Sequence, residues 1–364
     1  MEGLRRQGEG ILREGLRPFG SPDVDTGRYS RQVRVRGIGE EGQQRLAHAT
    51  VLIVGTGALG THTAETLARA GVGTLWLCDR DVVEWSNLQR QSLFREDDAR
   101  AGTPKAVAAA NRLAEVNSTC EVVPMVADCT REFLESLPRV PDLVVDGTDN
   151  FPTRYLVNDF ALQSGIPWVY GGAVGTEGAA MFVLPHSTPC LRCLWPEPPQ
   201  TANAATCETA GILEPAIAAV TSFQSAQALK YLAGGAEAVT RGVFTCDVWR
   251  GTYHVWPGRD APDPACPACS GTAYPALDTP PPATATLCGR DAVQVHPRAG
   301  AQLDLDTLAR QLAGAVEQVE RTEHLLRFTA DGCRFSVFPG GRALLSGVRD
   351  ALRARALYDR WIGL

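Results

Sequence analysis

Nothing in the 364 residues approaches the roughly 20 consecutive apolar residues of a membrane-spanning helix. The N-terminal stretch has no apolar core of the kind a secretory signal carries. A surplus of positive charge is missing too: the net charge is -6 at neutral pH, which speaks against a general nucleic-acid surface. These absences lead to the expectation of a soluble cytoplasmic protein without nucleic-acid or membrane partners. Disulfides are not expected either. Eleven cysteines would read as a disulfide framework in a small secreted chain, but in a long intracellular one two Cys-x-x-Cys pairs point to metal. The length accommodates a large α/β domain and something smaller.

What is present is organised around Val51-Leu52-Ile53-Val54-Gly55-Thr56-Gly57-Ala58-Leu59-Gly60. The apolar, β-branched run from Val51 to Val54 suits a strand buried on both faces of a parallel sheet. Gly55, Gly57 and Gly60 then form Gly-x-Gly-x-x-Gly ahead of a helical run from Thr61 to Ala70. The first two glycines permit a tight turn and close approach to phosphate oxygens. The third lets the helix pack near the strand, with its free N–H groups toward an anion. A second strand, Thr74 to Cys78, ends at Asp79, where an acidic residue usually meets a ribose hydroxyl. This is a nucleotide site, and the glycines alone leave open whether it takes a dinucleotide or ATP.

Further motifs follow in order. Residues 1–27 carry little apolar pattern and read as a flexible extension. Arg28-Tyr29-Ser30-Arg31-Gln32 comes next; by spacing alone both arginines are ordinary surface charges. A polar helix from about Glu40 to Ala47 leads into the glycine turn. Beyond Asp79 lie Ser86-Asn87-Leu88-Gln89-Arg90-Gln91, Lys105 opening an Ala-rich helix, and Asp146-Gly147-Thr148-Asp149-Asn150 with Arg154 one helical turn on. From about Arg28 to Gly271 this series resembles the ThiF/MoeB/HesA family of the ubiquitin-activating-enzyme superfamily, whose sulfur-carrier adenylyltransferases carry these motifs in this order.

Elementary electrostatics agrees with adenylate chemistry. ATP carries about four negative charges, so a site that separates its phosphates needs fixed cations. Arg90 and Lys105 are placed to clamp the phosphates, with Asn87 and Gln91 as neutral donors. Asp149 suits Mg²⁺, a hard cation that prefers carboxylate oxygen; the bland alternative is a salt bridge with Arg154 at a helix start. The resemblance implies that Arg31 reaches a neighbouring subunit, making the active unit a homodimer. It further implies a nucleophile supplied by a small ubiquitin-like sulfur carrier ending in Gly-Gly, with a cysteine desulfurase or other sulfur donor as a further partner. A C-terminal carboxylate, with an ordinary pKa near ~3.5, is already ionised and needs no general base. The motif series accordingly contains no histidine, and His62 reads as a packing or surface residue.

Residues 166–184 look like two strands around Gly171-Gly172, with Met181 to Leu184 as another. Cys190-x-x-Cys193 and Cys266-x-x-Cys269 form a four-thiolate set suited to structural tetrahedral zinc. Free or redox-active thiols are the alternative, and the resemblance, with two knuckles in the same places, implies zinc. Between them, a Pro-, Ala- and Thr-rich stretch delivers Cys207 ahead of an amphipathic helix from about Glu214 to Leu232. A thiol near a helix N-terminus is the more reactive for its lowered pKa, and the resemblance implies a cysteine that accepts the carrier or joins a sulfur linkage. The alternative for Cys207 is a small loop residue.

Pro275 and Pro280-Pro281-Pro282 mark residues 274–285 as a stiff linker. Beyond it the pattern predicts strands at 293–296, 325–329, 333–338 and 342–345 and helices at 304–313 and 348–360. The expectation is therefore an α/β, Rossmann-like, mostly parallel sheet holding ATP and a four-cysteine zinc knuckle (28–273), followed by a small α+β domain (286–364). That domain shows no Cys-x₅-Arg loop of a rhodanese, and Cys288 reads as a turn cysteine. An NAD-dependent dehydrogenase would share the glycine turn but gives no reason for Arg90, Lys105 and Asp149 together. A non-catalytic scaffold predicts their loss.

Overall fold

The computed structural model describes residues 27–199, 210–258, 261–279, 284–286, 292–297 and 303–363. Residues 1–26, Cys207, the Pro280–Pro282 run and Cys288 lie outside them. Two compact units are present, one ending at Asp278 and the other beginning at Thr279. In the first the helices are α1 Gly39–His48, α2 Ala58–Arg69, α3 Glu96–Ala101, α4 Lys105–Val116, α5 Arg131–Glu135, α6 Phe151–Ser164, α7 Leu191–Leu194, α8 Glu214–Gly234, α9 Pro267–Ser270 and α10 Pro275–Asp278. The strands are β1 Thr50–Val54, β2 Thr74–Cys78, β3 Glu121–Met125, β4 Leu143–Asp146, β5 Trp168–Val174, β6 Glu177–Val183, β7 Val243–Asp247 and β8 Thr252–Trp256.

They form one sheet in the order β3-β2-β1-β4-β5-β6-β7-β8. The first five strands are parallel, and β6 to β8 extend the sheet antiparallel. Both faces of the parallel part are covered, which is why β1 is apolar from Val51 to Val54. Val51 and Ile53 pack on one side with Leu67, Leu75 and Leu77. Leu52 and Val54 pack on the other with Trp76, Tyr155 and Trp168. Val54 is in register with Cys78 on β2 and Asp146 on β4, so the strand order reverses at β1/β4. A crevice opens at such a reversal, outside the carboxyl ends of the strands.

Three expectations need correction. The strand through Gly171-Gly172 does not turn there: β5 runs on to Val174 and reverses at Gly175, which has φ 61°. Gly171 is bare because a Cβ would lie 2.4 Å from the Gln224 amide, so packing rather than turning demands it. The helix after Cys207 is not amphipathic. Ile217, Val220, Thr221, Gln224, Gln227, Ala228 and Leu232 of α8 are all buried, because it lies between β5 and β6 on one side and α1 and α2 on the other. Pro275, read from sequence as linker, opens α10, whose Leu277 is buried in the first unit's core.

The second unit contains β9 Thr284–Thr286, β10 Ala292–Val295, α11 Leu305–Leu312, β11 Glu317–Arg321, β12 Leu326–Ala330, β13 Cys333–Val337, β14 Ala343–Ser346 and α12 Ala351–Trp361. Its sheet is antiparallel, in the order β11-β12-β13-β14-β10-β9. Asp331 (φ 51°) and Gly332 (φ 73°) close the β12–β13 hairpin with the two left-handed residues such a turn requires. Phe328 stacks on Phe335 at 4.5 Å and, with Leu308 and Leu357, centres the core.

One buried ion pair ties the first cysteine pair to the body of the first unit. Arg192 donates to both Asp159 carboxylate oxygens, at 2.7 and 2.8 Å. Asp159 is fully buried, and it also accepts the Ala276 N–H at 2.9 Å. Removing one partner of such a pair leaves an uncompensated charge and costs roughly 3–5 kcal/mol. Asp159→Ala should therefore lower the denaturant midpoint strongly, whereas replacing both partners with apolar residues of similar volume should cost far less. Equal losses in the single and double variants would argue against this role.

Candidate active site and cysteine cluster

The turn after β1 is built from backbones in contact. Gly55 N–H donates to Cys78 O, and Gly147 N–H to Val54 O, both at 2.8 Å. A Cβ on Gly60 would sit 1.9 Å from Gly55 O, and one on Gly147 2.2 Å from the same oxygen. Gly57 differs. The nearest protein atoms to a Cβ there are Gly147 O and Gln91 Nε2, at 3.8 and 3.9 Å. No protein neighbour requires glycine at that position. It caps α2, makes no side-chain cap, and leaves the first N–H groups of the helix toward the crevice. An anion suits that place.

The sequence-predicted residues gather around the turn. Asp79 accepts the N–H groups of Thr56 and Asp81, each at 2.7 Å, which joins the glycine turn to the end of β2. Burial pushes its carboxyl pKa up, against the pull of Lys105. Lys105 is buried at the first position of α4, and its Nζ lies 3.4 Å from Asp81 Oδ2. Asp81 was not assigned a role from sequence, although the Asp79-x-Asp81 spacing held the signal. Gln91 is buried with its Oε1 lacking a hydrogen-bond partner, and its amide faces Gly57. Asn87 is used structurally: its Oδ1 accepts Glu84 N–H at 3.0 Å, closing the short turn that presents Arg90. Arg90 is half-buried and donates to Ser86 O at 2.8 Å.

Arg154 does not neutralise Asp149. Its Nε donates to Asp146 at 3.1 Å, and its Nη2 to Thr148 O and Gly171 O at 2.8 and 3.0 Å. Burial raises the Asp146 pKa and Arg154 opposes that rise. This buried pair, which sequence reasoning missed, fixes the loop after β4. Asp149 at its tip is exposed, with Asn150 Nδ2 3.4 Å away. His62 is a packing residue between α2 and α8, with Nε2 3.7 Å from Glu214.

Arg31 is not brought to this crevice. Its neighbours dock at the far ends of the helices: Gln32 donates to Ala70 O at 2.7 Å, and Arg28 to Asn117 Oδ1 at 2.8 Å. The 12-residue α2 separates that end from Gly57 by about 18 Å.

The four cysteines converge. Cys190, Cys193, Cys266 and Cys269 have sulfur atoms all within 4.8 Å of one another, with neighbouring separations of 3.6 to 3.9 Å. Those are far from the ~2.05 Å of a disulfide and match the roughly 3.8 Å edge of a tetrahedron with ~2.3 Å metal–sulfur bonds. Left to share protons, hydrogen bonding among them draws Cys193 down to about 2 and pushes Cys190 up to about 12. The set is compatible with a metal. Cys207, expected between the pairs, lies outside the described residues.

The two kinds of glycine make a sharp test. Gly60→Ala should fail to fold or melt far below wild type, since backbone must move. Gly57→Ala should keep the wild-type melting temperature and lose nucleotide affinity. A Gly57→Ala protein that binds ATP normally would contradict the anion site.

Known proteins bear on this arrangement. The ThiF family model matches residues 29–268. The chain is 43% identical over 340 residues to the sulfur carrier protein ThiS adenylyltransferase of Bacillus subtilis, covering 93% of this chain and 100% of that protein. It is 40% identical over 242 residues to the SAMP-activating enzyme E1 of Haloferax volcanii, covering 66% and 88%. Among solved structures, E. coli MccB with ATP aligns with a TM-score of 0.58 at 23% identity, over 68% of this chain and 76% of that one, a likeness of fold. With its glycine turn, Asp79, Lys105 and Asp149 at one switch point and its sequence matched along the motif-bearing unit, the chain belongs to the ThiF family.

Proposed function

We propose that the protein adenylylates the C-terminal glycine of a small ubiquitin-like sulfur carrier protein. The carrier carboxylate attacks the α-phosphorus of ATP, the bond to the β-phosphate oxygen breaks, and pyrophosphate leaves. The observation that carries this reading is the meeting of an open helix N-terminus at Gly57, a buried lysine, and an exposed carboxylate at Asp149. Lys105, preorganised by Asp81, is a fixed cation for phosphate, and Arg90 a second one. Both act where charge develops on the leaving group. Gln91 donates beside Gly57, and Asp79 takes the ribose. Asp149, with Arg154 paired to Asp146 instead, would hold Mg²⁺, a hard cation that would supply charge neutralisation at the phosphates.

Neither rival reading accounts for this geometry. A dehydrogenase has no use for a buried lysine paired at the phosphate end and an exposed carboxylate opposite it. A scaffold would have no need to keep both. The position of Arg31, at the far end of α2 in its own chain, supports a contribution to the site of a second copy and hence a homodimer. The four sulfurs support structural zinc, because a closed four-thiolate set leaves no position for water. We assign the sulfur-linked or carrier-linked step to Cys207, with a cysteine desulfurase or similar donor upstream, acting in the cytoplasm. The match to the Bacillus protein covers 93% of the chain, so it extends into the second unit.

Mixed with carrier and Mg-ATP, the protein should exchange labelled pyrophosphate into ATP; ADP and phosphate as products would overturn the reading. Arg90→Ala, Lys105→Ala and Asp149→Ala should each lower exchange about 10²–10³-fold. Mixing Arg31→Ala with Asp149→Ala should restore part of the activity, and no rescue would argue against a contribution in trans. Cys207→Ala should keep exchange and lose any covalent adduct with the carrier.

Metal analysis should find roughly one zinc per chain, and Cys190→Ser should lose the metal and much of the stability. Zinc-free protein with the same melting temperature would refute that assignment.

A further inference from the structure

Strands β4 and β5 are in register at Val144↔Trp168 and Val145↔Val169. Just beyond, side chains take over from the ladder. Gly171 N–H reaches Asp146 Oδ2 at 3.4 Å, and from α6 Arg154 bridges Asp146, Thr148 O and Gly171 O. From α8, which packs on the opposite face of the sheet, Gln224 Nε2 donates to Asp146 O at 2.9 Å. Gln224 is fully buried, and Gly171 lacks the Cβ that would lie 2.4 Å from its amide nitrogen.

Packing gives no reason for an amide at this position. Gln224 Oε1 is buried without a hydrogen-bond partner among the described residues, a loss of stability that an apolar side chain of similar length avoids. The donor end supplies the reason. Gln224 holds the carbonyl of the peptide between Asp146 and Gly147, and Val54 O accepts the N–H of that same peptide at 2.8 Å. The peptide is gripped from both sides. Asp149 stands two residues beyond Gly147, exposed at the tip of the loop. A rotation of the gripped peptide would swing that loop, so the donor on its carbonyl decides where the Asp149 carboxylate points.

We infer that Gln224 is a positioning residue of the adenylylation site, acting through the Asp146–Gly147 peptide to aim Asp149 at a phosphate-bound Mg²⁺. This rests on the reading that Asp149 holds Mg²⁺ and adds the residue that directs it. Methionine at this position would keep the volume but not the donor.

The test measures ATP binding to the full-length protein without carrier, by calorimetry, once with excess Mg²⁺ and once in EDTA. Wild type should bind more tightly with Mg²⁺. Gln224→Met should cut that Mg²⁺-dependent gain about tenfold and leave the affinity in EDTA unchanged. Gly171→Ala should do the same, because its added Cβ meets the far end of a flexible side chain and displaces the amide. In an Asp149→Ala background, where the gain is already lost, Gln224→Met should change nothing further. The inference is overturned if Gln224→Met keeps the full gain, if it weakens ATP equally in EDTA, or if it weakens Mg-ATP further in the Asp149→Ala background. Should Gln224→Met fail to fold, Gly171→Ala decides by the same criteria. If wild type gains nothing from Mg²⁺, or Asp149→Ala keeps the whole gain, the Mg²⁺ reading itself falls and this inference falls with it.

Discussion

Three backbones packed without side chains between them hold the catalytic edge together. The carbonyl oxygen of Gly55 leaves no room for a Cβ on Gly60 or on Gly147. The turn after β1, the first turn of α2 and the loop after β4 are therefore locked to one another at the strand reversal. The lock brings the uncapped N–H groups at the start of α2 and the loop bearing Asp149 into one crevice, although about ninety residues separate them in the chain. Side-chain packing tolerates small adjustments, whereas a backbone contact of this kind admits almost none.

Charge is then arranged around that lock by pairs, and each pair spares another group. Asp146 takes Arg154, which leaves Asp149 exposed at the tip of the loop. Asp81 takes Lys105, which fixes the direction of a buried ammonium at the start of α4. Asp128 takes Arg80. A buried cation without its carboxylate resists burial, so these acidic partners are a condition for having fixed cations at all. The hydrogen bonds from Thr56 and Asp81 to Asp79 couple its carboxylate to both the glycine turn and the lysine's partner.

Much of this was legible in the sequence because it lies in short, local signals. Val51–Val54 is apolar at each position since both faces of β1 are covered, and Gly55, Gly57 and Gly60 follow at fixed spacing. The Asp331-Gly332 hairpin was equally local. What was not legible depends on partners far along the chain. Gly171-Gly172 looks like a turn until Gln224 is seen filling the space above it. Helix α8 was read as one-sided because the burial of its second face comes from α1 and α2. Strand β11, Glu317-Gln318-Val319-Glu320-Arg321, is exposed along its whole length and carries the charges that protect an edge, so its sequence does not alternate. The pairing of Arg154 with Asp146 rather than Asp149 has no sequence signature, since both acids precede it on the same short segment.

The cysteine cluster takes its meaning from what flanks it. Cys190-x-x-Cys193 contains Arg192, clamped by Asp159, and the chain leaving it is held by Tyr155, whose hydroxyl donates to Trp195 O at 2.6 Å and Glu197 O at 3.0 Å. On the other side of Cys207, Gly175 N–H donates to Gly211 O at 2.8 Å and Leu213 N–H to Gly175 O at 2.9 Å. One approach to Cys207 is thus held to α6 by a side chain, and the other to the turn after β5 by main-chain bonds. None of these ties involves Lys105, Asp149 or the glycine lock. The ties that flank Cys207 and the residues around the glycine turn therefore form separate sets, and a change in either leaves the other's geometry standing.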